Sequence, residues 1–232
     1  MARVGKLERF AEMREFSHVI EPDGRLLLTA DHPIKGRWKE DFFRNDHPIV
    51  LELGCGKGEY TVDLARRYPG RNFIGMDIKG NRMWKGATEA LRTGLGNAGF
   101  LRSRIEYIDR LFGPDEVEEI WITFPDPQPK KPRKRLTSSV FLNRYRRLLI
   151  PGGVIHLKTD SLELHQYTLK VLNTNSIAPI LATADLYGSD LEDEILTIRT
   201  YYESRFLEAG KKITYVRFAL PCGMALEEPA KR

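Results

Sequence analysis

The residues whose types and spacing best suit chemistry lie in V-L-E-L-G-C-G-K-G-E, residues 50–59. Gly54, Gly56 and Gly58 let the backbone turn sharply and bring bare N–H groups close to a ligand. A dinucleotide fingerprint needs glycines at offsets 0, 2 and 5. The last of these positions is Glu59, whose charge at a helix start would repel a pyrophosphate. Lys57 is followed by Gly58 rather than Ser or Thr, so there is no G-K-[ST] phosphate loop either. Glu52, two residues before Gly54, and Asp77, which closes F-I-G-M-D, instead suit a ligand carrying positive charge. A carboxylate at the end of a second strand accepts both hydroxyls of a ribose in nucleotide-binding α/β folds. S-adenosylmethionine, an adenosine bearing an ammonium and a sulfonium, fits that pattern. Asp109, closing I-E-Y-I-D, is expected at the end of a third strand and within reach of the adenine. Taken alone it is equally an exposed turn residue.

A second constellation is F-P-D-P-Q-P-K-K, residues 124–131. Pro125, Pro127 and Pro129 fix their own φ and bias each preceding residue towards extended backbone, so Asp126 is held rigidly. The most basic stretch of the chain follows at once. Residues 128–147 hold Lys130, Lys131, Arg133, Lys134, Arg135, Arg144, Arg146 and Arg147 and no acid. Subtracting these eight from the 37 Lys and Arg leaves 29 against 32 Asp and Glu, so the positive excess sits in one segment. Such a concentrated patch suits a polyanion. Lys130 to Arg135 fall in a proline-broken loop and read as RNA contacts. The three later arginines fit a solvated helix face equally well.

The elements that must position these groups are legible as alternation. Strand-like runs occur at IVLEL, NFIGMDI, RIEYID, EIWITF, VIHLKT, APILATA and KKITYVRFAL. Helical stretches between them are expected at Tyr60–Tyr68, Asn81–Thr93, Ser138–Leu149, Ser161–Asn175 and Thr200–Ala209, with Gly210 as a stop. The expectation is an α/β fold with a seven-stranded, mostly parallel sheet covered by helices on both faces. Residues 1–48 read as a partly irregular or flexible arm, with one short strand at Leu26–Leu28. Residues 49–220 read as the main domain and 221–232 as a tail. No stretch approaches the run of about 18 apolar residues that a membrane span needs. The start of the chain carries Glu8, Glu12 and Glu15 and no apolar core segment, and so reads as neither a signal nor a transit peptide. Cys55 and Cys222 form no disulfide framework or zinc pattern, which suits the reducing cytoplasm.

L-E-L-G-C-G-K-G, then F-P-D-P-Q-P-K-K-P-R-K-R-L-T, then L-K-T-D, then T-x-x-E-x-R-F-x-x-x-G-K-K-I together resemble the bacterial tRNA (guanine-N(7)-)-methyltransferases over about residues 49–220. The resemblance implies a class I S-adenosylmethionine-dependent methyltransferase fold, Rossmann-like. It also implies S-adenosylmethionine as donor and a guanine in the tRNA variable loop, position 46, as acceptor, with tRNA the partner and no metal. By motif, Glu52, Gly54, Gly56, Gly58, Asp77, Asp109 and Asp126 become cofactor-side residues, and Asp126 also the catalytic one. Lys130, Asp160 and the Thr200–Glu203 segment become substrate-side residues, and Lys131, Arg133, Lys134 and Arg135 the RNA patch. The family commonly has Trp where this chain has Gln128. Thr200 and Glu203 also have the spacing of a helix capping box, and Asp160 could equally cap the helix beginning near Ser161. The chain alone leaves monomer and homodimer both open. Two other readings compete: a methyltransferase acting on another RNA or nucleobase acceptor, and a non-catalytic tRNA-binding protein with a vestigial cleft. An exocyclic-amino enzyme would carry an aromatic residue after D/N-P-P, which is absent here.

Overall fold

A computed structural model of the protein describes residues 5–189, 191, 193–221, 223 and 225–230; Cys222 lies outside these. In chain order the elements are α1 (Lys6–Glu15), β1 (Val19–Ile20), β2 (Ile49–Leu53), α2 (Glu59–Arg67), β3 (Asn72–Asp77), α3 (Gly80–Arg92), β4 (Ala98–Arg102) and α4 (Ile108–Leu111). They continue as β5 (Val117–Thr123), α5 (Ser139–Tyr145), β6 (Leu149–Thr159), α6 (Leu162–Thr174), β7 (Leu181–Thr183), α7 (Tyr201–Glu208) and β8 (Thr214–Ala219). The strands form one sheet in the order β1-β4-β3-β2-β5-β6-β8-β7. Every neighbouring pair is parallel except those that β8 makes with β6 and β7. Six of the seven expected strands are present, and β4 and the edge strand β1 bring the sheet to eight.

Side-chain alternation divides the core between the two faces of the sheet. Ile49, Leu51 and Leu53 of β2 face a core with Leu142 of α5 and Leu164 of α6. Val50 faces the other, with Tyr60 and Leu64 of α2 and Met83 and Ala87 of α3. A parallel sheet covered on both faces places the carboxyl ends of β2, β3 and β5 at one edge, where the β2–α2 turn and the loop after β5 meet.

Three sequence expectations need correction. The third strand is Ala98–Arg102, not R-I-E-Y-I-D, which instead forms a 3-10 turn (Ile105–Tyr107) followed by α4. Ile105, Ile108 and Leu111 are spaced three apart and turn to one core, a helical period that the local alternation conceals. Gly99 weakens the strand signal of β4, yet a Cβ there would stand 2.5 Å from the Phe42 ring, so close packing requires it. Leu26–Leu28 is a 3-10 turn, and the strand of this region is β1. The segment expected as an arm supplies core residues: Met13, Leu27, Trp38 and Phe43 are buried, and the Trp38 indole donates to the Leu111 carbonyl at 2.9 Å. At the other end the described tail is docked, since Glu228 accepts from the backbone and hydroxyl of Ser139 at 3.1 and 2.9 Å.

Candidate active site

The turn after β2 is locked to β3, because the N–H groups of Gly54 and Cys55 both donate to the Met76 carbonyl, at 2.8 and 3.1 Å. Gly54 has φ +76°, and a Cβ there would meet nothing within 4 Å, so bare backbone faces an open cleft. Gly58 does a different job. A Cβ there would stand 2.6 Å from the Phe100 ring and 3.2 Å from the Cα of Gly86, so this glycine lets α3 approach the turn.

The cleft has a volume of about 400 Å³ and is lined by Glu52, Gly54, Gly56, Asp77, Asp126, Lys134 and Thr200, all expected from the sequence. That size is ordinary for a small-molecule site. Asp77 accepts the Gly56 N–H at 2.9 Å and the Lys79 N–H at 2.8 Å, one on each oxygen. An ionised carboxylate has about four acceptor positions, so both oxygens keep capacity for ligand hydroxyls. Glu52 is buried and takes hydrogen bonds from the Thr61 N–H (2.9 Å), the Thr61 hydroxyl (2.5 Å) and the Thr123 hydroxyl (2.6 Å). Burial raises its pKa to about 7, against the pull of the Thr123 and Thr61 hydrogen bonds. Glu52 thus fastens α2 and the end of β5 to the floor of the cleft.

Beyond Thr123 the backbone is strained on both sides of Asp126. Phe124 has φ +48° and Gln128 φ +45°, values that residues other than glycine rarely adopt, so the residues before Pro125 and Pro129 are not in the extended backbone expected of them. The Asp126 carboxylate accepts the Gln128 N–H at 3.1 Å, which supports the turn, and its side chain is exposed in the cleft. Arg135 braces the same loop from beneath: its Nε donates to the Pro127 carbonyl at 2.9 Å, its guanidinium pairs with Glu163, and it lies 4.4 Å from the centre of the Tyr167 ring. Strain held in place by its surroundings is characteristic of functional loops.

The opposite wall is the start of α7. Thr200 and Glu203 form the capping box, the Thr200 hydroxyl accepting the Glu203 N–H at 3.2 Å. Glu203 is fully buried, and its carboxylate is 2.7 Å from the Lys158 ammonium of β6. Lys158 also donates to the carbonyls of Leu196 (2.9 Å) and Ile198 (3.0 Å), so its three N–H groups are used. Glu59 accepts the Tyr201 N–H at 2.8 Å, and the Lys57 ammonium sits 3.4 Å from the centre of the Tyr201 ring. The acid that spoils a dinucleotide fingerprint therefore ties the glycine turn to α7.

Several expected site residues lie elsewhere. Asp109 is on α4, paired with Arg144 at 2.9 Å, in a hollow shared with Asp31 and Lys35 rather than in the cleft. Asp160 pairs with Lys211 at 2.6 Å, and the N-cap of α6 is Ser161. Glu203 is enclosed and points at Lys158 instead of the cleft. Lys130, Lys131 and Arg133 are exposed beside the cleft, whereas Arg135 is only 4% exposed and so is not part of a free basic surface. The sequence reading overlooked Lys57, Lys79, Arg82, Ile78 and Tyr202, which also line the cleft. Tyr202 lies inside T-Y-Y-E, where the capping signal overshadows its aromatic character.

A glycine turn, a strand-ending acid and a rigid acid-bearing loop at the carboxyl edge of a parallel sheet with one reversed strand, β8, inserted between β6 and β7 define a class I methyltransferase. Solved structures agree on the fold: 16S rRNA methyltransferase KamB superposes with a TM-score of 0.60 at 18% identity, covering 78% of this chain and 92% of its own. The 16S rRNA (adenine(1408)-N(1))-methyltransferase from Catenulisporales acidiphilia, with cosubstrate SAM, gives 0.59 at 17% identity, covering 82% and 93%. The family described as "Putative methyltransferase" matches residues 46–216. A tRNA (guanine-N(7)-)-methyltransferase of Bacteroides thetaiotaomicron is 53% identical over 97% of this chain and 89% of its own length. One of Christiangramia forsetii is 50% identical over 95% and 100%. The chain belongs to the tRNA (guanine-N(7)-)-methyltransferase family.

Proposed function

We propose that this protein transfers a methyl group from S-adenosylmethionine to N7 of a guanine in tRNA, at position 46 in the variable loop. The observation that carries this reading is the cleft itself. An open glycine turn, Asp77 and Asp126 line it, in a chain more than half identical to a tRNA (guanine-N(7)-)-methyltransferase. The donor supplies an electrophilic methyl group on a positively charged sulfur. The residues present fit it: the Gly54 cradle is open, Asp77 retains acceptor capacity for ribose hydroxyls, and Glu59 disfavours a pyrophosphate.

Guanine N7 carries an in-plane lone pair and no proton, so exposing the nucleophile requires no general base, unlike an amino or hydroxyl acceptor. The protein's task is alignment, and positioning supplies most of the rate gain. The purine gains positive charge as the N–C bond forms and the C–S bond breaks. A fixed carboxylate beside it stabilises that charge more in the transition state than in the ground state. Asp126, held between two strained residues and braced by Arg135, has the chemistry and rigidity for this role. The base must leave its stack at a cost of a few kcal/mol. Phosphate contacts from Lys130, Lys131, Arg133 and Lys134 offset that cost without reading sequence. A tRNA acceptor implies that the enzyme works in the cytoplasm; among the described residues no helix is long and apolar enough to cross a membrane.

Incubating the protein with methyl-labelled donor and tRNA from a strain lacking the modification tests the proposal. Digestion to nucleosides should release label as 7-methylguanosine. Label in an exocyclic methylamino nucleoside, or none at all, would refute it.

A further inference from the structure

We infer that Tyr202 is the platform on which the target guanine stacks, an inference that rests on the proposed guanine methyl transfer. Tyr202 is a large aromatic residue left 40% exposed, and it lines the same cleft as Asp126. Its position is fixed in advance. It is the second residue of α7, whose first N–H is held by Glu59 and whose capping acid is held by the buried Lys158.

The ring is also supported from behind. Tyr202 stacks on Phe206 with centroids 6.5 Å apart and planes 28° apart, and Phe206 lies 5.8 Å from Phe124. Phe124 directly precedes Pro125-Asp126, so an aromatic ladder joins the platform to the loop bearing the carboxylate. Tyr201 is not equivalent, because the Lys57 ammonium covers its ring at 3.4 Å, whereas it stands 6.0 Å from the centre of the Tyr202 ring.

A phenol ring attracts cations through its electron-rich face. A purine acquiring positive charge at N7 therefore binds Tyr202 more tightly as the reaction proceeds, which is the differential binding that raises turnover. Asp126 would serve the same charge electrostatically, while the ring serves it by stacking.

The test compares the full-length wild type with Tyr202→Phe, Tyr202→Leu and Tyr202→Ala. It measures kcat/KM for tRNA, the affinity for S-adenosylhomocysteine by calorimetry, and the melting temperature. Stacking predicts that Phe stays within about threefold of wild type, while Leu and Ala lose about ten- to a hundredfold in kcat/KM. Affinity for S-adenosylhomocysteine and melting temperature should stay near wild type in all three. Wild-type kcat/KM in the Leu or Ala protein would overturn the inference. So would a loss of S-adenosylhomocysteine affinity in step with kcat/KM, which would make the ring part of the donor's wall. If the wild type forms no 7-methylguanosine, the functional reading fails first, and that result is distinct from an active wild type with active variants.

Discussion

Asp126 and Glu52 are both acids of the cleft, yet their surroundings assign them different work. Asp126 is exposed and gives one hydrogen-bond acceptor to its own turn, so its charge is available to a ligand. Asp126→Ala should reduce the methyl-transfer rate by about 10²-fold, the scale seen when one electrostatic partner of a transition state is removed. Single-turnover labelling of tRNA measures this, and wild-type turnover by a folded Ala variant would remove Asp126 from the mechanism. Glu52, by contrast, is enclosed, and its pKa is raised from 4.5 to about 7, chiefly by burial. Between those values the folded protein retains a proton that the unfolded chain has released, so stability is lost as pH rises from about 4.5 through 7. Glu52→Gln keeps the shape and abolishes the titration. Its melting temperature should therefore fall less steeply than that of wild type between pH 5 and pH 7.5. Parallel curves would show that Glu52 does not titrate there.

At the scale of elements, α7 is held on the cleft by a latch rather than by its own length. Eight residues make a marginal helix alone. Its C-terminus is closed by Gly210 at φ +72°, with Gly210 N–H bonded to Leu207 and Lys211 N–H to Phe206. Its N-terminus depends on the buried Lys158–Glu203 pair, 2.7 Å apart. Removing one partner of such a pair leaves an uncompensated buried charge, so Lys158→Ala should cost about 3–5 kcal/mol in urea unfolding. Lys158→Met combined with Glu203→Gln should recover much of that loss, and a double variant no better than the single would contradict the latch. The cap T-x-x-E and the stop Gly210 were legible because both are local signals. The partner of Glu203 was not, because Lys158 lies far earlier in the chain and nothing in L-K-T-D announces a buried ammonium. Asp109 went astray for a related reason: alternation in R-I-E-Y-I-D imitates a strand, whereas the residues three apart decide its fold. The glycine turn and Asp77 were legible because backbone conformation and strand-end position are written in adjacent residues.

For the molecule as a whole, the basic excess after the proline loop divides into two kinds of residue that composition cannot separate. Lys130, Lys131, Arg133 and Lys134 are exposed, while Arg135 is consumed by Glu163, Tyr167 and the Pro127 carbonyl. Neutralising the four exposed residues should weaken tRNA binding and flatten its salt dependence, by roughly 0.7–0.9 in log–log slope for each phosphate that is no longer neutralised. Arg135→Gln should instead lower the melting temperature and leave the slope unchanged. Filter binding across a salt series distinguishes the two, and an unchanged slope in the fourfold variant would turn that face away from the RNA. The same scale governs the N-terminal region, whose polar, turn-rich texture hid the core residues Met13, Leu27, Trp38 and Phe43. Their partners are on α3, α4 and the sheet, too far along the chain for local periodicity to reveal.

The central claim, methyl transfer to one ring nitrogen of one guanine, is tested most directly by chain cleavage. A 7-methylguanosine in RNA becomes labile to reduction followed by aniline, so tRNA treated with enzyme and donor should break at a single guanosine in the variable loop. Methyl incorporation without that cleavage, or cleavage outside the variable loop, would contradict the account.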